Sequence, residues 1–156
     1  MNTPLKQNLD MTGRFTEVHT GRVLLGRLSA DGDLITELAS LCAGQSISLA
    51  SFAVYGAVSS ITWGVYDPAQ QVYVTRTETS PHQIAVCTGN ISLKSGEPFV
   101  QAQGVFCNLD GRCFGGRVFS ETRLIVGEYE LTEWRPSRLE RDYDPETGMI
   151  LWQFIP

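Results

Sequence analysis

The stretch Phe99-Val-Gln-Ala-Gln-Gly-Val-Phe-Cys107, Asn108-Leu-Asp-Gly-Arg112, Cys113-Phe-Gly-Gly-Arg117 reads as two strands joined by a tight turn. Asn, Asp and Gly supply the turn, and alternating apolar positions flank it. If Cys107 and Cys113 oppose one another across the turn, antiparallel pairing sets Gln103 against Arg117. Side chains alternate faces along a strand, so Gln101, Gln103 and Arg117 then share one face. Buried amides and a guanidinium need partners. The hairpin therefore implies a sheet protein and marks a polar cluster, either a binding site or a hydrogen-bonded filling.

Working outward, further β segments appear on both sides. Arg22–Leu28 is a strand entering the Ser-Ala-Asp-Gly turn. Ile47–Tyr55, Ile61–Tyr66, Gln71–Arg76 and Ile84–Ser92 follow, with Asp67-Pro68 as a turn between the second and third of these. Arg123–Leu131 closes the sheet. One helix is predicted: Asp33 is its N-cap, Leu34, Ile35, Leu38, Leu41 and Cys42 share a face, and Gly44 sits where a left-handed C-terminal cap belongs. The fold class is α/β of the α+β type, a single domain with a mainly antiparallel central sheet and one packed amphipathic helix. The reading divides the chain into an N-terminal arm (residues 1–20), a domain (21–134) and a C-terminal extension (135–156). In the extension, the apolar run Met149–Ile155 packs either on its own subunit or on a neighbour.

The chain has 156 residues, 42% hydrophobic and 19% charged, enough for one globular core. Its formal charge of −5 weighs against a surface built to neutralise phosphates, although Arg112, Arg117, Arg135, Arg138 and Arg141 cluster in the last third. Met1–Thr16 is polar and lacks the apolar core of a signal peptide, and no segment is long and apolar enough to span a membrane. A cytoplasmic location is expected. Cys107 and Cys113 can pair across the turn, but in a cytosolic chain free thiols are expected, and Cys42 and Cys87 read as small core residues.

Other chemistries find little support. His82 opens a strand and reads as a surface or capping residue, and His19 lies in the arm; neither stands near a nucleophile. Glu97, Asp110, Glu121 and Glu128 show no pairing for acid–base work. Gly111–Arg117 lacks the ending of a phosphate-binding loop. Trp63, Tyr66, Tyr73, Trp134 and Trp152 read as core and interface residues. Thr88-Gly-Asn90 is either a β-bulge or the wall of a pocket to which Asn90 contributes. Tyr55-Gly-Ala57 is either close packing at a subunit interface or backbone facing a ligand.

Several motifs, in order, carry a resemblance: Asp31-Gly-Asp-Leu34, Val54-Tyr-Gly-Ala-Val-Ser59, Tyr66-Asp-Pro68, Thr88-Gly-Asn-Ile-Ser92, Gly96-Glu-Pro-Phe99, Asp110-Gly-Arg112 and Gly115-Gly116. Together they closely resemble the PPC domain (plants and prokaryotes conserved), over about residues 21–134. The resemblance implies a homotrimer. It also implies that bacterial members carry a DNA-binding label and that many bind metal through His-x-His plus a third His. Those three positions are Gln101, Gln103 and Arg117 here. Amides are poor ligands and a guanidinium is none, so no metal and no cofactor are expected. A fixed cation at Arg117 stands roughly where the metal's charge would be, which makes a small anionic ligand the candidate. The expected function is a non-enzymatic binding or assembly module. A DNA-associated regulator, disfavoured by charge, and an enzyme acting on a small acidic metabolite are the alternatives.

Overall fold

A computed structural model describes residues 14–136 and 138–154. In chain order the elements are β1 (His19–Leu28), α1 (Leu34–Gly44), β2 (Ala50–Asp67), β3 (Val72–Glu78), β4 (His82–Lys94), β5 (Glu97–Cys107), β6 (Cys113–Arg135), β7 (Glu140–Asp144) and β8 (Met149–Gln153). The mainly antiparallel sheet with one packed helix is as expected from the sequence. Residues 1–13, most of the expected arm, lie outside the described residues, and β1 already takes in His19 and Thr20.

Two pairs of expected strands are each one long strand. Ile47–Tyr55 and Ile61–Tyr66 merge largely into β2, and Cys113–Phe119 and Arg123–Leu131 merge into β6. These strands survive their length by bending. Register shifts between Ala57 and Thr62 accompany positive φ at Gly56 (142°) and Glu121 (71°). The bend lets each strand change neighbours. β2 pairs β4 with its first half, β3 with its second, and β6 along most of its length. β6 pairs β5 and then β1. Because β5 pairs β4 and β4 pairs β2, strands β2, β6, β5 and β4 close a ring.

α1 packs on β5 and β6, placing Leu34, Leu38 and Cys42 in a core with Val54, Ile61, Ile91, Ala102, Phe106, Val118 and Leu131. Its N-cap is Asp33, whose Oδ1 accepts from Thr36 N at 2.9 Å. The other carboxylate oxygen accepts from the Glu121 and Thr122 amides at 2.6 and 3.1 Å, tying the helix start to the bend of β6. The C-terminal expectation needs correction: Gly44 is the last helical residue, Gln45 is the cap, and the left-handed residue is Ser46. The Ile47 amide bonds back to Cys42 O, which turns the chain two residues later than glycine alone suggested.

Candidate functional site

The hairpin register is as read from the sequence: Gln103 pairs Arg117 and Cys107 pairs Cys113. That pairing brings the two cysteine Cα atoms to 4.2 Å, and they form a disulfide, so the expectation of free thiols there is corrected. Cys42 and Cys87 are free and buried, and burial pushes their thiols up to about 11 and about 12.

On β5 and β6, Val100, Ala102 and Val118 face the core. Gln101, Gln103 and Arg117 take the alternate positions and look outward. Register adds β4 to this face, since Asn90 opposes Gln101 and Ser92 opposes Phe99. The register is unbroken from Val86 to Lys94, so Thr88-Gly-Asn90 is no bulge; the shift lies between Ile84 and Val86. Gly89 is needed for packing. A Cβ there would stand 2.0 Å from Gln101 O and 2.8 Å from the Phe52 ring.

Arg117 is set among aromatic rings. Its guanidinium carbon lies 4.9 Å from the centre of Tyr73, 5.0 Å from Phe119 and 5.8 Å from Phe99. Its Nε is buried without a hydrogen-bond partner among the described residues. Among the described residues the ion pairs are Arg22 and Arg135 with Glu133, Arg27 with Glu128, and Arg138 with Glu140. Arg117 is in none of them.

Sequence reasoning missed the principal occupant of the cluster. Arg141, on β7, is 6% exposed. Its Nε donates to Ser92 Oγ at 2.6 Å, and Nη1 donates to Gln101 Oε1 and Ile150 O, both at 3.2 Å. Nη2 donates to Asn90 Oδ1. The guanidinium lies 4.8 Å from the Trp152 ring and 6.0 Å from Phe99, the ring it shares with Arg117. Burial, with the Arg117 charge adding to it, pulls Arg141 down to about 10. Asn90 and Gln101 thus meet at one site, but they serve Arg141. Gln103 is exposed and no hydrogen bond anchors its side chain among the described residues. The signal for Arg141 was compositional only, a basic residue close to an apolar run.

Elsewhere, His82 is buried, contrary to the surface reading. Its Nδ1 lies 2.8 Å from Ser80 O, and its ring meets Phe114 edge-on at 5.1 Å between centres. Tyr55 is 50% exposed, whereas Gly56 packs within the chain: a Cβ there would stand 2.0 Å from Val126 O. Asp110 stays in the turn, where its amide bonds to Asn108 Oδ1.

The family model for the Plants and Prokaryotes Conserved (PCC) domain matches residues 15–135. The chain belongs to this family. No curated protein matches it. Among solved structures of PPC-type fold, a plant- and prokaryote-conserved protein from Pyrococcus horikoshii has 26% identity and a TM-score of 0.85, covering 92% of this chain and 99% of its own. A metal-containing protein from Archaeoglobus fulgidus has 28% identity and a TM-score of 0.86, covering 91% of this chain and 100% of its own. A protein from Ralstonia eutropha, provisionally named as DNA-binding, has 26% identity and a TM-score of 0.73, covering 84% and 90%.

The residues of this PPC domain do not fit a metal at the positions that the resemblance assigns to histidines. Gln101 accepts from a buried guanidinium, and Arg117 is a second cation beside it. No group of three His, Cys, Asp or Glu side chains among the described residues could hold an ion. The site carries two positive charges and offers donors, so its chemistry suits an anion.

Proposed function

We propose that this PPC protein is a non-enzymatic, homotrimeric binding module that holds a small anion at Arg117. The observation that carries the reading is the buried, unpartnered Nε of Arg117, in a guanidinium fixed by three rings and paired with no carboxylate among the described residues. A cation so placed is costly without a counter-charge, and a bound carboxylate or phosphate supplies one. Gln103, across the strand pair, presents to it an exposed amide with no hydrogen-bond partner among the described residues.

Self-association draws support from the outer face of β1, β2 and β6. Leu25 (73% exposed) and Tyr55 (50% exposed) line one groove with Tyr129. In this reading the interface segment is Tyr55, Gly56 and Ala57, with Tyr55 as its exposed contact, while Gly56 itself packs on β6 of its own chain.

Native mass spectrometry with elemental analysis tests the ligand. A small adduct on the wild type, lost in Arg117→Ala without loss of assembly, is the expected result. A bare protein without metal or adduct favours a pocket filled only by its own hydrogen bonds, and stoichiometric zinc overturns the anion reading. A DNA-associated role is the second reading, favoured by the provisional name of the Ralstonia protein. Against it stand the charge of −5 and the pairing of Arg135 and Arg138 with Glu133 and Glu140, which disperses the basic cluster. Failure to bind duplex DNA at low salt removes that reading. An enzyme acting on an acidic metabolite instead predicts turnover that Arg117→Ala abolishes.

A further inference from the structure

The C-terminal hairpin β7–β8 lies beyond the stretch matched by the family model, yet it delivers Arg141 to the centre of the polar cluster. We infer that Arg141 makes this a two-guanidinium site selective for a dianion, inorganic phosphate or a phosphate monoester, and couples occupancy to docking of the hairpin. The inference rests on the anion reading of Arg117.

The two cations have different roles. Arg141 has committed four of its five N–H groups to Ser92, Gln101, Ile150 and Asn90, so it contributes mainly fixed charge. Arg117 has committed none to a hydrogen bond among the described residues, and with its Nε buried the two Nη groups contribute the fork. Both guanidiniums lie within about 6 Å of the Phe99 ring centre, and Arg141 is almost wholly withdrawn from water. Two cations that share one ring repel each other in a medium that screens poorly. A monoanion leaves one of these charges uncompensated; a dianion balances both.

The hairpin is the element whose position should respond. Its backbone link to the sheet is the short β4–β7 contact, with Leu93 opposite Glu140 and the Leu93 amide donating to Leu139 O. Side-chain bonds from Tyr66 to Thr147 O and from Gln71 to Glu146 O hold its turn, and Arg141 holds its centre. Docking brings Arg141 beside Arg117 at an electrostatic cost, which a bound dianion removes. Anion binding and hairpin docking must therefore favour each other reciprocally.

The test is calorimetric titration of the full chain with inorganic phosphate and with acetate at matched ionic strength, for wild type, Arg141→Lys, Arg141→Met and Arg117→Met. Hydrogen exchange across residues 138–154 is followed with and without phosphate. Wild type should bind phosphate at least about tenfold more tightly than acetate, Arg141→Met should lose most of that preference, and Arg141→Lys should keep part of it. Phosphate should slow exchange in the wild-type hairpin, a readout that needs no variant to fold. Equal affinity for phosphate and acetate, or phosphate binding unchanged in Arg141→Met but lost in Arg117→Met, overturns this inference and leaves the Arg117 reading standing. Phosphate binding without slowed hairpin exchange overturns the coupling. Binding of neither anion overturns the Arg117 reading, and this inference with it.

Discussion

At the scale of single residues, this protein places ionised groups where the backbone has left little water. Glu133 is 2% exposed and accepts from Arg22 Nε at 2.8 Å, with Arg135 Nη2 at 3.4 Å. The hydrogen bonds from Arg22, opposed by burial, take its carboxyl from 4.5 down to about 2. Between those two values the unfolded chain binds a proton that the folded chain refuses, so this contribution is present above pH 4.5 and is lost as pH falls towards 2. Denaturant titrations of wild type and Glu133→Gln should therefore differ by a constant margin above pH 4.5, and the margin should shrink towards pH 2. A margin independent of pH would show that the pair contributes no linkage. Arg117 and Arg141 are the opposite case, cations partly or wholly withdrawn from water without an acid to pair with among the described residues; Arg76, Arg112 and Arg123 also lack such a pair but are exposed.

At the scale of elements, the long strands β2 and β6 change neighbours where their register shifts. Gly56 is the hinge of that geometry: it opposes Gly127, has φ of 142°, and an added Cβ would meet Val126 O at 2.0 Å. Gly56→Ala should cost about 3 kcal/mol, roughly 6–12 °C in melting temperature for a domain of this size, measured by thermal denaturation. A loss below about 1 kcal/mol would mean that β2 and β6 can separate locally without penalty. The small-residue motif Tyr55-Gly-Ala57 was legible as a place of close approach; that the approach is to β6 of the same chain became clear only from the register. Likewise Asp33 was legible as a helix cap, but its second carboxylate oxygen holds two amides 88 and 89 residues away. No local pattern encodes such a bond.

At the scale of the whole molecule, the proposed trimer is checked by multi-angle light scattering, which should return about three times the 17.2 kDa chain mass; a value near 17.2 kDa overturns it. Within the single chain, much of the architecture was written in local terms. Alternation and turn chemistry determined the hairpin, its register and the shared face of Gln101, Gln103 and Arg117, because strand periodicity and a tight turn leave few other pairings. The ordered motifs determined the family. The spacing of apolar residues after Asp33 determined the helix and the face it buries. What tertiary structure alone decided was the content of the site. Arg141 reaches Gln101 across 40 residues and Asn90 across 51, from a segment whose own sequence carries no periodicity pointing there. A guanidinium withdrawn from water must find acceptors wherever the closed chain offers them, and Ser92, Asn90, Gln101 and Ile150 O met only when β7–β8 folded onto the end of β4. Faces and turns are set by neighbours in sequence; the partner of a buried charge is set by which distant segment the fold brings to it.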